Sequence, residues 1–127
     1  MVGRPEGVQS DPQDEDGWTT VLGASELPDG KAVRVDVAGV DVFLYRTPER
    51  IFALANRCTH QGGPLHRGVV RASGSIPSVT CPIHGSMFRL TDGMVIRGPA
   101  RLPQPVYEAR VSEDSIQVRP GAATPAG

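Results

Sequence analysis

The chain has 127 residues, a length that fits one domain with one modest hydrophobic core. Its 13 basic and 14 acidic residues give a net charge of −1, so we expect no basic surface for nucleic acid. No stretch approaches the roughly 20 apolar residues of a membrane span, and the N-terminus lacks the apolar segment of a secretory signal. We therefore expect a cytoplasmic protein that neither binds nucleic acid nor inserts into a membrane. The sequence does not determine the oligomeric state, for which we favour a monomer.

Short β-type segments between turns make up the middle of the chain. Val33, Val35 and Val37 alternate with polar residues, as in a half-buried strand. No helix-length amphipathic pattern occurs, so we predict an all-β domain over residues 17–119, and polar or Pro/Ala/Gly-rich disordered tails at 1–16 and 120–127. The predicted strands are Trp18–Leu22, Ala32–Val37, Val40–Arg46, Ile51–Asn56, Gly68–Arg71, Ser78–Thr80, Met87–Leu90, Met94–Arg97, Val106–Val111 and Ser115–Val118.

Two short motifs contain both cysteines and two of the three histidines. Cys58-Thr59-His60 and Cys81-Pro82-Ile83-His84 each follow a predicted strand, and together they supply two thiolates and two imidazoles. Glycine lets backbone amides approach a bulky inorganic centre, and proline stiffens a loop before metal binds. The glycines and prolines around the motifs are Gly62, Gly63, Pro64, Pro82 and Gly85.

Two metal centres fit this donor set. One is a structural zinc ion with four tetrahedral ligands. The other is a [2Fe-2S] cluster with the cysteines on one iron and the histidines on the other. Zinc sites usually take two like ligands from each loop, whereas each loop here gives one cysteine and one histidine. The pattern favours the cluster, and zinc remains the alternative.

The segments Cys58-Thr59-His60-Gln61-Gly62-Gly63-Pro64-Leu65 and Cys81-Pro82-Ile83-His84-Gly85-Ser86-Met87-Phe88 resemble the two cluster-binding boxes of Rieske iron–sulfur proteins. The resemblance continues at Asp92-Gly93 and Gly98-Pro99-Ala100, which are similar to the hairpin and proline loop of that family. It implies a fold of three small antiparallel sheets with a two-loop cluster-binding subdomain. It also implies one [2Fe-2S] cluster per chain.

The resemblance assigns roles to individual residues. Cys58 and Cys81 would ligate the buried iron, and His60 and His84 the outer iron. Ser86 matches a serine that hydrogen-bonds to the cluster in high-potential members, but Phe88 stands where those members have a tyrosine. We therefore expect a reduction potential below that of respiratory Rieske subunits. The other residues expected around the cluster are Gly62, Gly63, Pro82, Gly85 and Pro99.

Differences from the family pattern reduce the number of functional classes of Rieske protein to which the chain could belong. Respiratory subunits carry a further cysteine in each box, joined as a disulfide, where this chain has Gly63 and Ile83. Oxygenase catalytic subunits are longer and hold a second iron site, for which only His66 is left here. The resemblance thus implies a ferredoxin-like one-electron carrier, not an enzyme, between a reductase and an oxygenase or other oxidoreductase. The alternative is an accessory redox module or small subunit of a larger oxidoreductase assembly, including a membrane-associated one.

Other polar residues near the motifs receive simpler interpretations. We expect His66 to be a solvated loop histidine. Several arginines could form a docking patch, but we expect them to be ordinary solvated charges. These arginines are Arg67, Arg71, Arg89, Arg97 and Arg101.

Overall fold

Ten antiparallel strands form two sheets in residues 17–121, the part of the chain that the structure, a computed structural model, describes. All ten predicted strands are present with ends that differ by at most two residues, which confirms the all-β prediction. Two 3₁₀ turns, at Ala24–Glu26 and Leu65–Arg67, were not expected, because three residues are too few to show a helical period. The strands are β1 (Thr19–Gly23), β2 (Ala32–Val37), β3 (Val40–Arg46), β4 (Ile51–Ala55), β5 (Val69–Arg71), β6 (Ser78–Thr80), β7 (Met87–Arg89), β8 (Val95–Arg97), β9 (Val106–Ser112) and β10 (Ser115–Pro120).

The larger sheet has the strand order β1-β10-β9-β4-β3-β2, and its edge strands β1 and β2 contact each other. Strand β9 makes this sheet continuous. Its first residues, Val106 and Tyr107, pair with β4, and the strand also pairs with β10 from Tyr107 onwards. Because one strand joins both hairpins, the structure has two sheets instead of the three that the family resemblance implies.

The central strands β3 and β4 are buried on both faces. Val42 and Leu44 contribute to a core enclosed by the larger sheet, whereas Phe43 between them packs into a second core. Successive side chains of a strand point to opposite faces, so a strand covered on both sides reads as a continuous apolar run. The second core also contains Phe88 of β7 and both cysteines, and it joins the two sheets.

The smaller sheet, in the order β5-β6-β7-β8, carries the second motif. Thr80 of β6 pairs with Met87 of β7, so residues 81–86 form the loop of a hairpin. The first motif lies between β4 and β5, and therefore connects the two sheets. Residues 98–105, which we call the proline loop, connect β8 back to β9.

The ends of the described region are paired with the larger sheet. Trp18 is buried between the guanidinium groups of Arg110 and Arg119, whose carbons lie 4.1 and 4.4 Å from its ring centroid. Strand β10 runs to Pro120, and the Gly121 N–H donates to the Val106 carbonyl at 2.9 Å. The paired structure thus extends past the expected boundary at residue 119. The other residues predicted as tails, 1–16 and 122–127, lie outside the described residues.

No helix within residues 17–121 has the length and apolar character needed to cross a membrane.

Gly93, in the turn between β7 and β8, tests how tightly the proline loop packs on this sheet. It has a φ of +75°, and a Cβ there would overlap the carbonyl oxygen of Gln104. We expect Gly93→Ala to lower the free energy of unfolding by about 2 kcal/mol or more, measured by urea denaturation. Gly74→Ala is the matched control, because its φ is +93° but nothing lies within 4 Å of its Cβ position. Equal losses in the two variants would contradict the close approach.

Candidate metal centre

Box loop 1, residues 58–63, is closed by two backbone hydrogen bonds across its ends. The Cys58 N–H donates to the Gly63 carbonyl at 2.9 Å, and the Gly62 N–H donates to the Cys58 carbonyl at 2.7 Å. Gly62 has a φ of +75°, a conformation that costs little only without a Cβ. The loop therefore folds back on its cysteine and holds His60 at its middle.

Box loop 2, residues 81–86, repeats this construction. The Cys81 N–H donates to the Ser86 carbonyl at 2.7 Å, and the Gly85 N–H donates to the Cys81 carbonyl at 3.2 Å. Gly85 has a φ of +80° and lies four residues after its cysteine, as Gly62 does after Cys58. The shared signal in the sequence is Cys-x-x-x-Gly. The histidine is third in one loop and fourth in the other.

The two thiols lie inside the protein. Cys58 and Cys81 are both buried, not joined as a disulfide, and in hydrogen-bond contact with each other. Burial, followed by the neighbouring Cys58, raises the pKa of the Cys81 thiol, while backbone hydrogen bonds from Ile83 and His84 act in the opposite direction. Two adjacent buried thiolates are costly unless a cation compensates them, which is the chemistry of a metal site.

The two imidazoles form a second pair, closer to the surface. The ring centroids of His60 and His84 are 5.2 Å apart with an interplanar angle of 80°. His84 is exposed and His60 is partly buried. Among the described residues, no three or more His, Cys, Asp or Glu side chains converge on one point that could hold a metal ion. The donors thus occur as a sulfur pair and a nitrogen pair.

Gly63 provides the space that this arrangement needs. A Cβ at Gly63 would lie 2.7 Å from Cys81 Sγ and 2.5 Å from Ile83 Cγ1. Positions 63 and 83 therefore face each other, and the isoleucine side chain fills the place where the resemblance puts a disulfide in respiratory relatives. The site combines two donor pairs with backbone amides near the Cys81 sulfur and with a loop in which a methyl group at position 63 would overlap its neighbours. This combination fits a bulky group that contains two metal ions.

Gln104 of the proline loop holds box loop 1 in place, a role that no pattern in the sequence indicates. Its side chain is fully buried. Its Nε2 donates to the carbonyls of Ala55 at 2.7 Å and Arg57 at 2.9 Å, and its Oε1 accepts from the Thr59 N–H at 2.7 Å. Its backbone N–H donates to the Gly93 carbonyl at 2.8 Å. A single residue therefore joins the end of β4, box loop 1 and the turn between β7 and β8, through its side-chain amide and its backbone N–H.

The proline loop also contacts both boxes through hydroxyl groups. The Thr59 hydroxyl donates to the Leu102 carbonyl at 2.7 Å. The buried Ser86 Oγ accepts a hydrogen bond from the Ala100 N–H at 3.0 Å. Because this oxygen is used as an acceptor, the hydroxyl proton of Ser86 can still be donated elsewhere. Pro99 lines a surface depression with His60, Arg101 and Leu102.

Comparison with known proteins decides the family. The family described as the Rieske [2Fe-2S] domain matches residues 17–108 of this chain. The chain belongs to the Rieske [2Fe-2S] family.

Three relatives illustrate the range of this family. Ferredoxin CarAc from Metapseudomonas resinovorans is 30% identical over 102 residues, which cover 80% of this chain and 92% of CarAc. The ferredoxin of carbazole 1,9a-dioxygenase from Nocardioides aromaticivorans IC177 is 28% identical, with a TM-score of 0.74 over 82% of this chain and 98% of that one. A putative NADH-dependent nitrite reductase small subunit from Mycobacterium tuberculosis is 34% identical, with a TM-score of 0.74 over 87% of this chain and 100% of that one.

Membership of the Rieske family decides between the two metal centres that the donor set left open. A Rieske domain binds a [2Fe-2S] cluster, which supplies reversible one-electron chemistry, so the zinc alternative is wrong. The structure brings Cys58, Cys81, His60 and His84 together as two pairs. Their assignment to the two irons stays a prediction, as do the roles given to the surrounding glycines and prolines.

His66 of this Rieske domain belongs to a hydrogen-bond chain, so the prediction of a solvated loop histidine is wrong. Its backbone N–H donates to Asn56 Oδ1 at 2.8 Å, and Asn56 Nδ2 lies 3.0 Å from its Nδ1. This places an N–H donor against Nδ1, so the neutral ring carries its proton on Nε2. Asn56 Nδ2 is also 3.3 Å from Asp41 Oδ2, and Asp41 pairs with Arg34. Burial, followed by the positive charge of Arg67, lowers the pKa of His66.

Replacing Gln104 tests whether the proline loop braces the centre. Gln104→Leu leaves three backbone groups without their partner, so we expect about 2–5 kcal/mol less stability in urea denaturation. We also expect iron release to a chelator to be about tenfold faster or more. Gln117→Leu is the control, because Gln117 is also buried but bonds to Arg110 and Thr20 in the larger sheet. Iron release that is as fast in the control as in Gln104→Leu would contradict a specific brace.

His66 should make stability depend on pH. Its pKa is lower in the folded protein than the value of about 6.5 in an unfolded chain, so the unfolded chain binds the proton first as pH falls. Relative to His66→Gln, the wild type should lose stability as the pH falls from about 6.5 towards the folded pKa, by at most about 1.4 kcal/mol per pH unit. Urea denaturation of both proteins at several pH values measures the difference between their free energies of unfolding. The contributions of all other titratable groups, which the two proteins share, cancel in this difference. A difference that does not vary with pH would contradict the neutral, hydrogen-bonded ring.

Proposed function

We propose that this Rieske protein is a one-electron carrier whose cluster exchanges electrons through the histidine side of the site. The observation that carries the proposal is the difference in depth between the two donor pairs, since the thiols are buried and the His84 ring is exposed. A redox centre of a partner protein can then approach the outer iron closely without entering the domain. The protein would act as a carrier and not as a catalyst.

In this proposal Cys58 and Cys81 hold the buried iron, and His60 and His84 hold the outer iron. Gly62, Gly63 and Gly85 let the box loops close around the cluster, and the Ser86 hydroxyl donates to it. Pro82 and Pro99 are exposed next to the two loops, where they would limit loop motion. The proposed functional domain is residues 17–119, as predicted from the sequence.

The proposed role is to pass electrons from a reductase to an oxygenase. CarAc and the ferredoxin of carbazole 1,9a-dioxygenase support it, because both are ferredoxins that this chain matches over nearly their whole lengths. Such carriers form small, transient interfaces, below about 1,200 Å². A cytoplasmic monomer would suit repeated encounters with two partners.

A second candidate is the small subunit of a larger oxidoreductase. It is favoured by the nitrite reductase small subunit from Mycobacterium tuberculosis, all of which this chain covers at 34% identity. Affinity purification of the tagged protein from its own cells distinguishes the two roles. A stoichiometric complex that survives a salt wash supports the subunit, whereas elution as a monomer that reduces a separately purified oxygenase supports the carrier.

Replacement of a proposed ligand tests the centre itself. The reduced wild type should give the rhombic electron paramagnetic resonance spectrum of a Rieske cluster, with about two irons per chain. His84→Ala should abolish that spectrum, because the outer iron loses one of two imidazoles.

His66→Gln is the control for this experiment, since His66 bonds to Asn56 and is not a proposed ligand. It should keep the spectrum largely unchanged. A native spectrum in His84→Ala, or bound zinc in a colourless wild type, would refute the proposed centre.

A further inference from the structure

The charges of the chain are unevenly distributed between the cluster-binding part and the rest. Residues 57–104, which include both boxes and the proline loop, contain six arginines and one aspartate, a formal net charge of +5. The single acid, Asp92, pairs with Arg89 of the same segment. The other described residues, 17–56 and 105–121, contain six basic and eight acidic side chains, a net charge of −2. The cluster-binding segment is therefore basic although the whole chain is nearly neutral, and three of its arginines lie near the imidazoles.

Three of these arginines lie next to residues that neighbour His60 or His84. Arg97 Nη2 donates to the Gly85 carbonyl at 3.4 Å, next to His84. Arg101 lines the surface depression that contains His60. The guanidinium of Arg57 lies beside Gly62, 3.9 Å from the position that a Cβ would take there.

These three arginines, which we call the tip arginines, are exposed, and within residues 17–121 none of them forms an ion pair. Arg57 is near enough to Asp41 to contribute to lowering the pKa of that carboxyl, after the stronger effects of Arg34 and Asn56. Within residues 17–121, neither Arg97 nor Arg101 contributes to a lowered carboxyl pKa. Arg97 and Arg101 are two of the five arginines expected from the sequence to be ordinary solvated charges, and Arg57 is not among those five.

Apolar side chains are also exposed next to the two imidazoles. Ile83, immediately before His84, is 52% exposed, and Leu102, which lines the same depression as His60 and Arg101, is 60% exposed. Exposed apolar side chains near charged ones are typical of a protein-docking surface. The same surface carries the histidine edge through which electrons would leave.

We propose that the redox partner docks on this surface through an acidic face, with carboxylates that pair with Arg57, Arg97 and Arg101. The inference rests on the proposed electron-carrier function and adds the chemistry of the partner. Charge complementarity supports a partner of opposite sign, because like charges across the interface would oppose association. The charge separation along the molecule would also turn its histidine end towards an acidic partner before contact.

The oxidation rates of the reduced protein with two small oxidants of opposite charge test the sign of the electrostatic potential around the imidazoles. Ferricyanide is a trianion and tris(1,10-phenanthroline)cobalt(III) is a trication, and stopped-flow mixing with the reduced protein gives both oxidation rates. We expect the ferricyanide rate to fall roughly tenfold as the salt concentration rises from about 0.01 to 0.5 M, and the cobalt rate to rise. Poly-L-glutamate, as an acidic polypeptide, should slow the ferricyanide reaction at low salt, and poly-L-lysine should not.

Two double variants, each of which removes two positive charges, show where on the surface the salt dependence originates. Arg97→Gln/Arg101→Gln should lose most of the salt dependence and of the inhibition by poly-L-glutamate. Lys31→Gln/Arg71→Gln removes the same charge from exposed residues at the end away from the boxes, near Tyr45 and Ser78, and should behave as wild type.

The outcomes separate this inference from the function on which it rests. A protein without a Rieske spectrum refutes the proposed function before any rate is measured. If the protein has a normal Rieske spectrum but its ferricyanide rate is independent of salt, or rises with it, the proposal of an acidic partner is overturned and the proposed function is not. Equal effects of the two double variants would overturn it as well, because the field would then not be centred on the histidine end.

Discussion

The hydrogen bonds of the buried Gln104 amide are the interaction on which the metal centre depends most. Its side chain satisfies the carbonyls of Ala55, at the end of β4, and of Arg57, and the N–H of Thr59 in box loop 1. These groups would otherwise be buried without partners, at about 1–3 kcal/mol each. With Gly63 and Ile83 facing each other in place of a disulfide, the constraint on box loop 1 comes from this amide and from the Thr59 hydroxyl.

The fold separates the two kinds of donor by depth. Box loops 1 and 2 are closed by the same pair of hydrogen bonds, yet one leaves the larger sheet and the other is a hairpin of the smaller sheet. Both cysteines lie in the core that joins the sheets, next to Phe43 and Phe88. The histidines, two and three residues further along, reach the surface. A cluster held in this way is shielded from water on its sulfur side and accessible on its imidazole side.

The surface around the imidazoles has its own chemistry, independent of cluster binding. Carrying electrons requires only that a partner approach the outer iron, but selecting a partner requires complementary groups around it. The tip arginines with Ile83 and Leu102 provide such groups next to the imidazoles, on β8, box loop 2, the proline loop and the residue before box loop 1. Electron transfer and recognition would thus share one end of a small domain.

The sequence by itself determined the ten strands, the two boxes and the four donors, because each depends on a pattern within a few residues: alternation, Cys-x-His, Cys-x-x-His and Asp-Gly. Only the tertiary structure decided the rest. Gln104 and its partners Thr59 and Ala55 are 45 and 49 residues apart, His66 is held by Asn56, and β9 fuses two small sheets into one. The arginines of the histidine end come from three separate segments. Such contacts depend on how distant segments pack, and no local pattern encodes them.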